Sequence, residues 1–365
     1  MREVYLMKKL VKGIGVFLLV LVLLIAAFIG FLTATQLNPD TAGADLNLMM
    51  DSAAAPRTFS AGDEISVLSW NVGYAALGRE SDFFMDGGTQ TRPESRDVVE
   101  KNLAGIVERI GAEDADFTIL QEVDSGSTRS FGVKETQEIA NATGLVNAYA
   151  LNYKCAFVPF PWPPLGKVSS GLFTLSTAGA PVSAERVALP SPFTWPISTA
   201  NLKRCLLVTR FDLEGTDQQL VLVNLHLEAY DDGEGKAAQT KVLTEFLMNE
   251  YAAGNYVIAG GDFNQTFPGG LDAYPTVDAS YWAPGTLDNS NLPGEGWQFA
   301  YDTETPTCRL LNEPYDPASP RTQYYVIDGF ILSPNVRLER VQTENAGFEF
   351  SDHNPVLLNV TLLAD

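Results

Sequence analysis

Positive charge is scarce in this chain of 365 residues: 24 Lys and Arg stand against 45 Asp and Glu, a net charge of −21. Proteins that grip nucleic-acid backbones usually present a basic face, and here the global field repels phosphate polymers. A nucleic-acid partner is therefore the weaker expectation, although a local basic patch would rescue it. Cysteine is scarce too. Three residues without a Cys-x-x-Cys spacing exclude a disulfide framework and leave no zinc or dithiol signature. One intramolecular disulfide at most can form, and three buried free thiols are the preferred reading. Histidine is scarcer still, with two residues in the whole chain. Repeats and low-complexity tracts are missing. What remains is ample: 45% hydrophobic residues over this length bury one large core or two ordinary ones.

One stretch lacks charge altogether. After Arg2, Lys8, Lys9 and Lys12, no charged residue occurs until Asp40. Its apolar heart, residues 14–32, would span about 28 Å as a helix, close to the roughly 30 Å of a bilayer core. Basic residues before it and acidic residues after it place the bulk of the chain outside the cytoplasm. The rival is a cleaved signal peptide and a secreted product. Signal-peptide apolar regions run about 7–15 residues, and Thr33-Ala34-Thr35 is a poor cleavage site, so an uncleaved anchor is favoured. The chain then divides into a basic cytoplasmic tail (1–12), a transmembrane helix or signal anchor (13–33), a linker without amphipathic period (34–61) and an exported domain (62–365).

Within that domain, short apolar runs predict strands over 65–70, 117–120, 171–175, 206–211, 220–225, 256–259, 324–331 and 356–363. Helical spacing predicts helices over 95–110 and 236–251, the second carrying Val242, Leu243, Phe246 and Leu247 on one face. About 60 residues separate Asn264 from Tyr324, rich in Pro, Gly and Asn and carrying Trp282, Trp297 and Tyr301. So long an irregular segment reads as a binding loop. Many strands with few helices predict packed sheets with helices outside, an α/β sandwich.

Chemistry is expected where polar residues stand at the ends of these strands: Asn71, Glu122, His226, Asp262 with Asn264, and Asp352-His353. Asp328 joins them, because a carboxylate inside the apolar run 326–330 is costly unless paired. Each has an ordinary alternative. Asn71 and Asn264 suit turns, Asp262 and Asp352 suit caps, Glu122 suits a surface, and a lone histidine is usually a satisfied polar group. Their joint order is harder to dismiss.

The pieces Leu-Ser-Trp-Asn (68–71), Leu-Gln-Glu-Val (120–123), Asn-Leu-His-Leu (224–227), Gly-Asp-Phe-Asn (261–264), Ile-Asp (327–328) and Ser-Asp-His-Asn-Pro (351–355) stand in that order. With the strand Ser-Gly-Leu-Phe-Thr-Leu-Ser (170–176), they make residues 62–365 resemble the endonuclease/exonuclease/phosphatase superfamily. That group includes deoxyribonucleases, abasic-site endonucleases, inositol phosphatases and neutral sphingomyelinases. The resemblance implies a four-layered α/β sandwich, with two mostly antiparallel sheets flanked by helices. It implies Mg²⁺, with Mn²⁺ as the alternative, held by Glu122 as principal ligand with Asn71 beside it and Asp352 as ligand or supporting acid. Oxygen donors of this kind suit Mg²⁺. It further implies that Asp328 orients His353, that Asp262 is positioned with Asn264 to handle a proton, and that His226 donates to a phosphoryl oxygen. Whether His353 or Asp262 is the base stays open.

Two departures stand out. Nuclease members often carry an acid two residues after the asparagine, where this chain has Gly73. The Trp-x-Asp-Arg stretch of inositol phosphatases is replaced by Tyr-Val-Ile-Asp-Gly (325–329), which argues against a 5-phosphatase. Lys167 invites a phosphate-loop reading that fails, since Pro161 stands where the pattern needs glycine. Lys167 and Arg129 are kept as phosphate contacts, with a solvated cation the commoner role for each. The expectation is a membrane-anchored, outward-facing, metal-dependent phosphoric ester hydrolase, a monomer acting on a phosphorylated lipid or small molecule. Its alternatives are an extracellular nuclease and a catalytically silent binding domain.

Overall fold

The computed structural model describes residues 1–37, 48–50, 55, 57–231 and 233–364. Two seven-stranded sheets dominate it. The first runs Leu48–Met50, Val146–Val158, Gly166–Ser176, Phe117–Asp124, Glu64–Asn71, Val356–Leu362, Val336–Thr343. The second runs Gln298–Ala300, Asp328–Leu332, Tyr256–Asp262, Gln219–His226, Cys205–Leu213, Thr58–Phe59, with Ser183–Ala188 also paired to Cys205–Leu213. Pairing is mostly antiparallel. In each sheet, however, one central pair is parallel: Glu64–Asn71 with Phe117–Asp124, and Gln219–His226 with Tyr256–Asp262. Parallel neighbours need a crossover, supplied by helix Arg96–Glu113 in the first sheet and helix Glu234–Ala252 in the second.

Between the sheets lies an apolar core in which Val67, Ile119 and Leu358 of one face Phe211, Leu222 and Phe330 of the other. The Phe117 and Phe211 rings meet at 4.9 Å. The outer faces are covered by the crossover helices. Val99, Leu103, Ile106 and Ile110, spaced by three and four residues, bury one stripe of Arg96–Glu113 against Leu68, Leu120 and Leu175. Each such side chain stabilises the helix on its sheet by about 1.5–3 kcal/mol. Gly105 permits the close approach, since a Cβ there would lie 2.3 Å from the Phe350 ring. Leu243 and Leu247 of Glu234–Ala252 do the same against Val221, Val223 and Val257. The four layers are those expected.

Several elements differ from the sequence reading. The long N-terminal helix runs Arg2–Thr35, taking in the basic tail. Within the expected linker 34–61, Leu48–Met50 and Thr58–Phe59 add short strands to the two sheets, while 38–47, 51–54 and 56 lie outside the described residues. Strands Val146–Val158, Ser183–Ala188 and Val336–Thr343 and helix Glu135–Thr143 were not expected. The segment from Asn264 to Tyr324 is not one loop, for it contributes the edge strand Gln298–Ala300. Its two tryptophans part company. Trp282 lines the cavity at the strand ends described below, but Trp297 is core, packed 5.6 Å from the Tyr251 ring. All three cysteines are free and buried.

Candidate active site

Parallel strands end on the same side, so the two crossovers deliver four polar residues to one edge of the sandwich. Asn71 pairs in register with Gln121, and His226 with Asp262. The antiparallel partner Asp328–Leu332 begins opposite Asp262, which adds Asp328 at the same level. Glu122 follows a register shift between Leu120 and Val123, and its φ is +57°. This bulge breaks the strand's alternation and turns the carboxylate into the cavity, at a backbone cost of about 1–2 kcal/mol. Gly261 has to be glycine: its φ is +144°, and a Cβ would lie 1.9 Å from the Leu225 carbonyl oxygen. Asn71, Glu122, His226 and Asp262, with Asp352 and His353 from the segment before Val356–Leu362, line a cavity of about 300 Å³.

The deepest group is a chain of buried polar side chains. Asp328 Oδ2 bonds His353 Nδ1 at 2.8 Å, so the carboxylate in the apolar run has its partner. His353 Nε2 lies 3.8 Å, and His226 Nε2 3.4 Å, from Asp262 Oδ2. Asp262 is held by the Asn264 N–H at 2.8 Å and the Asn71 side-chain amide at 3.0 Å, and Asn264 in turn donates to the Leu227 carbonyl. The two histidines are driven apart. Burial, helped by Arg204, His353 and Arg129, holds His226 well below the ordinary imidazole value. Burial would lower His353 as well, but the Asp328 carboxylate and Cys308 hold it well above. Burial and the charge of Asp328 lift Asp262 to about 7, against the pull of His353 and its hydrogen bonds.

Two groupings of these residues suit a cation. Single ligand atoms of Asp262, Asp328 and His353 lie within 4.8 Å of one another, yet the last two already bond each other. Glu122 and Asp352 are the better fit for Mg²⁺, which wants hard oxygens and room for its waters. Both line the cavity, and burial together with the Glu122 charge raises Asp352 to about 6, the repulsion a cation between them would relieve. Asn71 lies beside Glu122 and bonds protein groups on both sides. Its Oδ1 accepts from the Gly73 N–H at 3.0 Å, and its amide donates toward Glu122 at 3.4 Å and Asp262. It ties the two acids together. The missing acid at position 73 also has a cause: φ there is +49°, and a Cβ would come 2.9 Å from Asp352 Oδ1.

Of the two expected phosphate contacts, Lys167 is exposed and does not line the cavity. Arg129 does line it, but as a buried clamp with two bonds to Asp124 at 3.1 and 2.9 Å and its guanidinium 3.6 Å above the Tyr74 ring. Sequence reasoning missed Arg204 and Arg309. Arg204 pairs with Glu228 at 3.3 Å and donates to the His226 carbonyl. Arg309 is buried and reaches the carbonyls of Gly78 and Ser81 at 2.9 and 3.2 Å, tying that loop to the strand beside Asp352. An arginine between Cys308 and Leu310 was the available signal, the same one that singled out Asp328.

The fold has known counterparts. An endonuclease/exonuclease/phosphatase from Beutenbergia cavernae DSM 12333 superposes with a TM-score of 0.55 at 19% identity, covering 82% of this chain and 72% of that one. A family protein from Bacteroides thetaiotaomicron gives 0.52 at 15%, covering 83% and 99%. A functionally unknown conserved protein from Enterococcus faecalis V583 gives 0.50 at 14%, covering 81% and 99%. At such identities the likeness speaks for the fold alone. No curated protein matches the chain. The family model for endonucleases, exonucleases and phosphatases matches residues 68–353, from the strand that ends in Asn71 to His353 itself. Members of that family are hydrolases of phosphoester bonds. With the model covering more than half its length, the chain belongs to the endonuclease/exonuclease/phosphatase family.

Proposed function

We propose that this protein is a membrane-anchored, extracytoplasmic phosphoesterase that hydrolyses a phosphorylated lipid or small molecule. The observation that carries the reading is convergence: Glu122, Asp352, Asp262, His226 and His353 all open on one cavity, with Asp328 behind His353. In this reading the oxygen of a water attacks phosphorus as the ester P–O bond breaks. Asp262 takes the water's proton, because Asn71 and Asn264 fix its carboxylate between the two imidazoles. His353, steadied by Asp328, and His226 donate to the phosphoryl oxygens where charge accumulates. The departing alkoxide is reprotonated from solvent. Mg²⁺, with Mn²⁺ as the alternative, would be held by Glu122 and Asp352 and would supply charge neutralisation.

The anchor is helix Arg2–Thr35, long and apolar enough to cross a membrane and almost wholly exposed. An apolar helix left bare over most of its length belongs in lipid. The test is to incubate the purified full-length chain with phosphodiester lipids, inositol phosphates, DNA and RNA, in Mg²⁺ and in chelator. Mg²⁺-dependent release from a lipid or small phosphoester is expected. Preferential cleavage of DNA would turn the reading to an extracellular nuclease, and no hydrolysis in Mg²⁺, nor in Mn²⁺ put in its place, would end it.

A further inference from the structure

Beyond the N-terminal apolar stretch, acidic residues are spread through this chain except in one place. Residues 139–211 contain a single acid, Glu185, with Lys154, Lys167, Arg186, Lys203, Arg204 and Arg210. From this acid-poor stretch come the two segments that carry the most exposed large apolar side chains outside the N-terminal helix. Phe160 and Trp162 are 70% and 89% exposed in the first, Trp195 and Ile197 62% each in the second. Pro159, Pro161, Pro163 and Pro164 stiffen the first segment, so its rings are held out rather than folded back. An apolar patch of this kind marks a surface meant to be covered.

The N-terminal helix says by what. Its last turns dock on this same patch: the Phe28 and Phe157 rings meet at 6.3 Å, and Leu32 is buried among Tyr153, Cys155, Val158 and Val168. Trp195 Nε1 donates to Thr33 Oγ1 at 3.0 Å, and the Leu37 N–H to the Lys154 carbonyl. Phe28 to Thr33 is about 8 Å along a helix, within the roughly 5–10 Å to which interfacial apolar faces sink. Tryptophan is the residue that favours this depth. Behind the patch, Tyr153, Leu165, Phe193 and Leu202 line the cavity that holds Glu122 and Asp262.

We propose that the rim built from residues 157–165 and 193–202 is a bilayer-docking face, which opens the cavity onto the phosphate headgroup of a lipid in the membrane crossed by the N-terminal helix. The proposal rests on the anchor and phosphoesterase readings above and narrows the substrate to a membrane phosphodiester. The net charge of −21 favours a zwitterionic headgroup over an anionic one. Docking relies on aromatic insertion, with the acid-poor stretch sparing the contact from repulsion.

The full-length chain reconstituted into phosphatidylcholine vesicles with brominated acyl chains tests it. Of the five tryptophans, Trp70 and Trp297 are buried and Trp282 is half-buried with its indole N–H bonded to the Ala229 carbonyl, so bromine quenching of Trp162 and Trp195 should dominate, and Trp162→Ser with Trp195→Ser should remove at least half of it. Unchanged quenching would show that the rim stays out of the bilayer, covered by a second copy or another protein, and would overturn the proposal. In a second arm, Phe160→Ser with Ile197→Ser should lower turnover of the vesicle lipid about tenfold and leave turnover of a monomeric short-chain phosphodiester unchanged. An equal fall for both substrates, or no fall, also counts against docking. If neither substrate is hydrolysed by the unaltered chain, the phosphoesterase reading has failed, while the quenching arm still decides whether the rim docks.

Discussion

At the floor of the cavity, Asp262, Asp328 and His353 are almost fully buried, each fixed by groups from other strands. At its rim, Phe160, Trp162 and Trp195 stand out in water. The floor places polar groups where solvent is scarce, so every one must find a partner, and removing one strands another. The rim places apolar groups where solvent is plentiful, which is tolerable only beside a second apolar phase. The contrast teaches how to tell machinery from docking surface without a bound ligand. In machinery single side chains are indispensable and partners are specific; on a docking face area matters more than identity.

The largest effect should fall on the floor. Glu122→Ala is expected to lower kcat at saturating Mg²⁺ by at least about 10³, roughly 4 kcal/mol, with the thermal midpoint little changed because this side chain is only half-buried. Unchanged turnover would remove the cation from this part of the cavity. Arg129→Ala should act on the fold, destabilising by about 3 kcal/mol because Asp124 is left buried without its counter-charge; urea unfolding measures it. A loss of rate with full stability would instead make Arg129 a phosphate contact and blur the line between floor and clamp.

Next, Asp328→Asn should lower kcat about 10²-fold, and adding His353→Ala should cost little beyond His353→Ala alone, since the pair acts as a unit. Additive losses in a double-mutant cycle would break that coupling. The smallest effect belongs to an exposed cation near the rim. Lys167→Ala should change stability by less than about 0.5 kcal/mol and leave turnover of a soluble phosphoester as it was. A tenfold loss there would give this lysine the ligand role its exposure denies.

The floor was legible because its residues break a local rule. Asp328 sits in an apolar run, and His226 and Glu122 close apolar strands. Arg309 offends in the same way, but it lies in none of the strands expected from the sequence, so no strand end pointed to it. The rim was illegible for a different reason. Phe160 and Trp162 look like core residues in a linear sequence, and only the docking of Phe28 and Leu32 shows which side of the domain they occupy. Val146–Val158 escaped because its pairing slips register twice, which destroys the alternation that announces a strand. Trp297 was taken for a binding residue on composition; burial against Tyr251 is what tertiary packing alone decides.

One bond beneath the cavity has a mechanical consequence. Gln121 of the first sheet donates to Asn224 of the second at 2.9 Å, and Asn224 returns bonds to the Leu120 and Phe173 carbonyls. Glu122 rides on one sheet, Asp262 and His226 on the other, and the His353–Asp328 bond crosses between them. Sliding one sheet over the other by an ångström would uncouple the acids while both sheets stayed intact. This amide clip is the rivet that fixes their alignment. With Asn224→Leu, activity on heating should vanish several degrees before circular dichroism records any loss of strand, making turnover a strain gauge for the sandwich.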